Sequence, residues 1–293
     1  MSTGEEDLPG RLMARFGREG LRRIAVPEGT ASPADSVLLT EVGVPRQVGP
    51  YFTSAADAPA QLGPFCASIG VAAPDAAKAR WCRLGGDRGA QLCLDEHGTV
   101  RAEFIDVNEP GQVVNVSLTA FLESLLALDE GISSLASTES IEERAELVRA
   151  LIRRLAVADS EPTESPDSWW LMVLQDIRHT MTHPGYTAFE IEDPGGQKQV
   201  VTSAGGFCLH PEERLWGELE ASGVRPEQVT RIYTELEACF LPGHYCSLWL
   251  AEVFPEARFS HSFPYQGNAD EREAGFLAMM HETAALGRQG KRP

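Results

Sequence analysis

Apolar residues recur along this chain at two spacings, and each run of one spacing predicts an element. Leu8 to Arg23 reads as a short amphipathic helix ending in the basic pair Arg22-Arg23, with a turn marked by Pro27 to Gly29 behind it. Val37 to Val42 predicts a strand or a helix end, and Tyr51-Phe52-Thr53 an extended stretch. From Trp81 the period shortens to two. Trp81 to Leu84, Ala90 to Asp95 and Val100 to Ile105 predict an antiparallel meander, with Gly85-Gly86 and Glu96-His97-Gly98 as its turns. Helical spacing returns at Leu118 to Leu128, entered through Ser117 or Asn115 as N-cap, and again at Ile141 to Ala156 and Trp169 to Met181. The polar, proline-rich stretch 159–168 predicts a loop. Trp169, Trp170, Trp216 and Trp249 have helical neighbours and read as core.

The second half follows a different plan. Tyr186 to Glu192 alternates, Asp193-Pro194-Gly195-Gly196 turns, and Gln199 to Thr202 returns, which predicts a hairpin. His210-Pro211-Glu212-Glu213 then opens a helix, with proline near its first position, acids in its first turn and Gly223 at its end. Val229 to Glu235 predicts a strand, about His244 to Phe254 a helix, Ala257 to Phe263 a strand, and Ala269 to about Leu286 a last helix. The order is ββαβαβα. An α/β domain with a mixed sheet flanked by helices over 183–293, behind an α+β domain over 1–182, is the expected organisation.

Composition narrows the partners. A length of 293 residues suits two cores, and 43% hydrophobic with 23% charged residues is ordinary for a folded protein. The net charge is −18, with 16 basic against 27 acidic residues up to position 182 and 9 against 16 after it. Neither half offers the basic field that long duplex DNA recruits, so a small nucleotide, a free base or a basic protein suits the balance better. The N-terminal stretch Met1 to Pro9, with Glu5, Glu6 and Asp7, has no basic segment followed by an apolar one, and no run of 18 apolar residues exists. A cytoplasmic location without a membrane span is therefore the expectation, and six cysteines at irregular spacing are then free thiols or metal ligands.

In the first half, Gly43-Val44-Pro45, the hairpins around Gly85-Gly86 and Gly98, the helix entry Val114-Asn115-Val116-Ser117-Leu118 with Phe121, and the closing Asp167-Ser168-Trp169-Trp170 resemble the fourth subgroup of the SUKH superfamily of bacterial immunity proteins, over about residues 10–182. On the residues alone these are core and turn positions of an α+β domain. The resemblance implies a domain that binds and neutralises a protein toxin and does no chemistry itself.

The second half carries candidate chemistry. A His-X-Glu at the start of the first helix, with cysteines where the third strand feeds the next helix, is the arrangement a zinc deaminase needs. Zn²⁺ held by three protein ligands, with a fourth position open, makes water nucleophilic by lowering its pKa to roughly 7. One imidazole and two thiolates cancel the ion's charge. Glu212, two residues past His210, is placed to move protons rather than to ligate.

His210-Pro211-Glu212, Thr234-Glu235-Leu236-Glu237-Ala238-Cys239 and Leu241-Pro242-Gly243-His244-Tyr245-Cys246 resemble the cytidine-deaminase-like superfamily, in particular the nucleic acid or nucleotide deaminase domains of bacterial polymorphic toxin systems, over about 183–290. Carried over position by position, the resemblance implies that His210, Cys239 and Cys246 hold Zn²⁺ and that Glu212 is the acid and base, acting on cytosine or adenine in a nucleoside, a nucleotide or a single strand. Two positions depart from the family pattern: Ala238 stands where it has proline, and six residues separate cysteines it spaces by two. A non-catalytic immunity protein with a degenerate deaminase half therefore stays open, as does zinc that only braces the fold with His244 as a further ligand. Cys208 reads as core. Tyr265 and His261 read as loop positions that can also line a base pocket.

Overall fold

The computed structural model describes residues 7–105, 107, 109–161 and 164–288. Most of the N-terminal stretch read for targeting, and positions 162 and 163 of the loop expected over 159–168, lie outside the described residues. The chain divides into two compact units, 1–174 and 175–293.

In the first unit, α1 (Leu8–Phe16) starts at Asp7, whose carboxylate accepts the Gly10 N–H, and stops at Gly17 in a left-handed conformation (φ 67°). The helix is thus shorter than its apolar pattern predicts, and β1 (Leu21–Arg22) instead pairs with β2 (Val44–Pro45). Between them lies α2 (Pro33–Glu41), capped by Ser32, so 37–42 is helix with its end at Val42.

An antiparallel sheet follows, built in chain order from β3 (Gln47–Val48), β4 (Phe52–Thr53), β5 (Cys82–Gly86), β6 (Ala90–Leu94), β7 (Val100–Phe104) and β8 (Gln112–Asn115). Gly85 and Gly86 belong to strand β5 and not to its turn. A Cβ at Gly85 would stand 2.4 Å from the Thr53 carbonyl and 2.6 Å from the Phe52 ring, so only glycine lets β4 approach. The turn is made by Asp87, whose carboxylate accepts the Gly89 and Ala90 N–H groups.

Helix α3 (Leu62–Ser68) lies in the β4–β5 connection, and α4 (Leu118–Ala136) and α5 (Ile141–Ala158) follow the sheet. Phe121 meets Phe52 edge to face at 5.6 Å, and Leu118, Leu122 and Leu125 are buried beside it on the helical spacing read from the sequence. At the start of α6 (Trp169–Thr182), the Trp169 indole donates to Asp87 and that of Trp170 to the Val114 carbonyl, which gives both buried rings a polar partner.

The second unit contains β9 (Tyr186–Glu192), β10 (Lys198–Ala204), α7 (Pro211–Ala221), β11 (Val229–Leu236), α8 (Cys246–Val253), β12 (Arg258–Phe263) and α9 (Ala269–Arg288), the ββαβαβα order predicted. The sheet order is β10-β9-β11-β12. β9 pairs antiparallel with both neighbours, while β11 and β12 are parallel, as a crossover through α8 requires. Along β9 Thr187, Phe189 and Ile191 are buried alternately, and Phe189 meets Phe254, just beyond α8, edge to face at 5.7 Å.

The units part at 174/175, earlier than the 182/183 boundary read from the sequence. The last turns of α6 make their polar contacts in the second unit: Asp176 bonds His210 and His244, His179 bonds Glu273, and Thr180 accepts the Cys208 N–H. Trp216 and Trp249 are half-buried against Phe254. No helix among the described residues is long and apolar enough to cross a membrane.

Candidate metal centre

His210 is the N-cap of α7, and Pro211 fixes the first helical position after it. The Glu213 carboxylate reaches back to accept the His210 N–H at 3.3 Å and so holds the histidine backbone. Its ring turns inward, and Nδ1 lies 3.3 Å from Cys246 Sγ and 3.5 Å from Cys239 Sγ. The three donor atoms all lie within 4.8 Å of one another, and all three residues are buried.

The long cysteine spacing still brings the ligand pair together. Cys239 follows the end of β11, and Cys246 opens α8. Between them Gly243 (φ 83°) and Tyr245 (φ 41°) take left-handed conformations, the Tyr245 N–H donates to the Leu241 carbonyl, and the Ser247 N–H and hydroxyl both donate to the Cys239 carbonyl at 3.0 Å. A six-residue bulge thereby brings both sulfurs to one point.

The donor set fits a tetrahedral Zn²⁺. Zn–S bonds of about 2.3 Å and a Zn–N bond of about 2.0 Å at tetrahedral angles imply N···S separations of about 3.5 Å, close to the two observed. The electrostatics ask for a cation at the same point. Burial raises Cys239, yet its hydrogen bond to Cys246 and the neighbouring His210 outweigh this and hold it well below a free thiol. Burial also lowers His210, but the charges of Cys239 and Asp176 raise it well above an ordinary imidazole. Positive charge between Nδ1 and the sulfurs is thus favoured, whether as a proton or as a metal ion.

Behind the ring, His210 Nε2 donates to Asp176 Oδ1 at 2.7 Å, and His244 Nε2 donates to Asp176 Oδ2 at 3.1 Å. His244 Nδ1 donates to Glu213 at 2.9 Å, so carboxylates flank both of its nitrogens. Burial lowers the His244 imidazole and His210 lowers it further, but Asp176 and Glu213 overcome both and leave it raised. The His210 and His244 rings stack at 3.8 Å. Asp176, His210 and His244 also cluster donors within 4.8 Å. Their contacts are shorter than the roughly 3.4 Å that nitrogen and oxygen ligands of one tetrahedral ion keep, so they are hydrogen bonds.

A small cavity of about 40 Å³ adjoins the cluster, lined by His179, Glu212, Glu237, Cys239 and Tyr265 among others. Glu212, in the first turn of α7, is only 5% exposed, and burial pushes its carboxyl up to about 7. Tyr265 is buried rather than solvated, its hydroxyl donating to His179 Nδ1 at 2.5 Å, while His261 is exposed on β12. Cys208 is half-buried, not core, in a turn with φ 52°. The sequence reading passed over Asp176 and His179, although Asp176, His179, Thr180 and His183 form a polar stripe at helical spacing.

Fold and site together define an α+β domain of immunity type followed by a deaminase-like α/β domain. The SUKH-4 immunity protein family matches residues 8–176, and a Xanthomonas-like deaminase family matches 182–282. The chain belongs to the SUKH-4 immunity protein family and carries a deaminase-family domain after it. It has no significant match among curated proteins or among solved structures.

Proposed function

We propose that the second domain is a zinc-dependent hydrolytic deaminase of a nucleobase, cytosine or adenine, taken free, in a nucleotide or in a single strand. The observation that carries this reading is the convergence of His210 Nδ1, Cys239 Sγ and Cys246 Sγ beside a cavity lined by His210, Cys239 and a buried carboxyl, Glu212. His210, Cys239 and Cys246 would hold a Zn²⁺ ion, which would supply the Lewis acidity that makes water nucleophilic at neutral pH. Glu212 takes one proton from water and delivers it to the ring nitrogen beside the amino-bearing carbon, then takes the proton of the hydroxyl now on that carbon and passes it to the departing amine, so that water and an aminated ring become ammonia and a ring carbonyl. Its burial keeps bulk solvent from competing for that proton. Acidic composition in both domains favours a small or single-stranded substrate over long duplex DNA.

The first domain supplies the partner. Membership of an immunity protein family supports binding of a protein toxin through the first domain, with the deaminase-like domain joined to it in one chain. The test is zinc content together with ammonia release from a panel of nucleosides, nucleotides and single strands, with Glu212→Ala as control. One equivalent of zinc and turnover that the substitution abolishes support the reading; no zinc, or turnover unchanged by it, overturns it.

A further inference from the structure

The deaminase match begins at residue 182, and the SUKH-4 match ends at 176. Asp176 is therefore the last residue matched to the immunity family and lies outside the deaminase match, yet its side chain is fully buried and bonded to the candidate metal ligand. We infer that Asp176 is a positioning residue of the metal centre: its carboxylate fixes the His210 ring with Nε2–H turned back and Nδ1 turned to the two sulfurs. This rests on the metal-centre reading above.

A neutral imidazole offers one N–H and one lone pair, so a carboxylate 2.7 Å from Nε2 draws the proton there and leaves the Nδ1 lone pair for a cation. Asp176 does not swing, because its second oxygen accepts from His244 Nε2 at 3.1 Å, and His244 is held in turn by Glu213 at 2.9 Å. Glu213 itself bonds the His210 backbone N–H, so the chain of contacts begins and ends at one residue. His210 is thereby clamped through its backbone by one carboxylate and through its ring by another, with His244 stacked on its face. Such outer partners raise the basicity of a ligating imidazole and fix its orientation. A deaminase domain cut at the family boundary would lack this carboxylate.

The test uses the full chain and its affinity for Zn²⁺, measured by competition with a chromophoric chelator, alongside the visible bands of the Co²⁺-loaded protein. Asp176→Asn keeps the shape and removes the charge. It is expected to weaken Zn²⁺ binding by about 10- to 100-fold, to shift the Co²⁺ bands, and to lower kcat by a similar factor. Equal affinity and identical Co²⁺ bands in a folded variant overturn the assignment while leaving the metal centre standing. A wild-type chain that binds neither ion overturns the metal centre itself. Should Asp176→Asn not fold, the Zn²⁺-loaded wild-type chain decides by long-range ¹H–¹⁵N NMR: Nδ1 ligated with the proton on Nε2 supports the role, and the reverse tautomer overturns it.

Discussion

Lowering the pH from 6.5 to 4.5 will remove stability from the second unit at one identifiable group, His179. Burial lowers this imidazole to about 4, the Arg178 charge adds to the effect, and the hydrogen bond to Glu273 only partly opposes it. The surroundings suit the neutral form: Nε2 lies 2.9 Å from Glu273 but also 3.0 Å from the Arg178 guanidinium, Nδ1 faces the Tyr265 hydroxyl, and the ring stacks on Phe276 at 3.8 Å. Because the folded pKa lies below the unfolded value of 6.5, the unfolded chain binds the proton first, so this stability is complete above pH 6.5 and is lost as pH falls toward 4. Between pH 6.5 and 4.5 this one group loses about 2 kcal/mol; Glu212, raised to about 7, gains stability over the same interval, so the effect is read as the difference between wild type and variant. Glu273, held down to about 2 by Arg178, loses its contribution in a lower window and does not confuse the comparison. In His179→Gln, stacking lost from Phe276 lowers stability by about 0.5–1.5 kcal/mol at every pH, but the fall between pH 6.5 and 4.5 becomes shallower by the amount above. Urea denaturation at several pH values, with hydrogen exchange to locate the response in residues 175–293, measures it. Parallel pH profiles for the two proteins would refute the reasoning.

Other expectations follow from the same structure. Glu212→Gln is expected to retain one equivalent of zinc while lowering kcat by about 10²- to 10⁴-fold; a variant with more than a tenth of wild-type turnover contradicts the proton-shuttle role. Gly85→Ala forces β4 off β5 and is expected to cost the first unit about 1–3 kcal/mol, read as a lower urea midpoint, and an unchanged midpoint shows that the strands can part without penalty. Removing zinc with a chelator is expected to lower the second unit's stability by about 4 kcal/mol relative to protein in free zinc at a thousandfold excess over Kd, seen as a calorimetric shift that zinc but not magnesium reverses.

The order of elements in the second unit was open to reading because each change of apolar spacing coincides with a capping or turn residue. His210-Pro211 at a helix start and Gly223 at its end are local signals, and the fold respects them. The short reach of α1 was hidden, since Gly17 interrupts an apolar pattern that continues past it to Leu21, a residue buried in a strand. Gly85 looked like a turn because glycine serves both tight turns and close strand contacts, and only the neighbouring strand distinguishes the two. At the candidate site, His210 and Glu212 stand out by residue type and spacing at a helix start, and Cys239 and Cys246 by residue type at a strand end and a helix start, although their own separation departs from the family pattern. Asp176 does not: it is one acid in a helix dominated by Trp169, Trp170, Leu171, Val173, Leu174 and Ile177, and its partners are 34 and 68 positions away. Long-range partners of that kind have no local sequence signature, whereas the polar stripe it begins on α6 does.

The central claim is that three distant side chains hold a single ion. X-ray absorption at the zinc edge of the purified full-length chain tests it most directly. The account predicts one zinc per chain with two sulfur neighbours at about 2.3 Å and the rest of a four-atom shell in nitrogen or oxygen, one of them imidazole, at about 2.0–2.1 Å. A shell of oxygen and nitrogen alone, or a chain that retains no zinc, would contradict it.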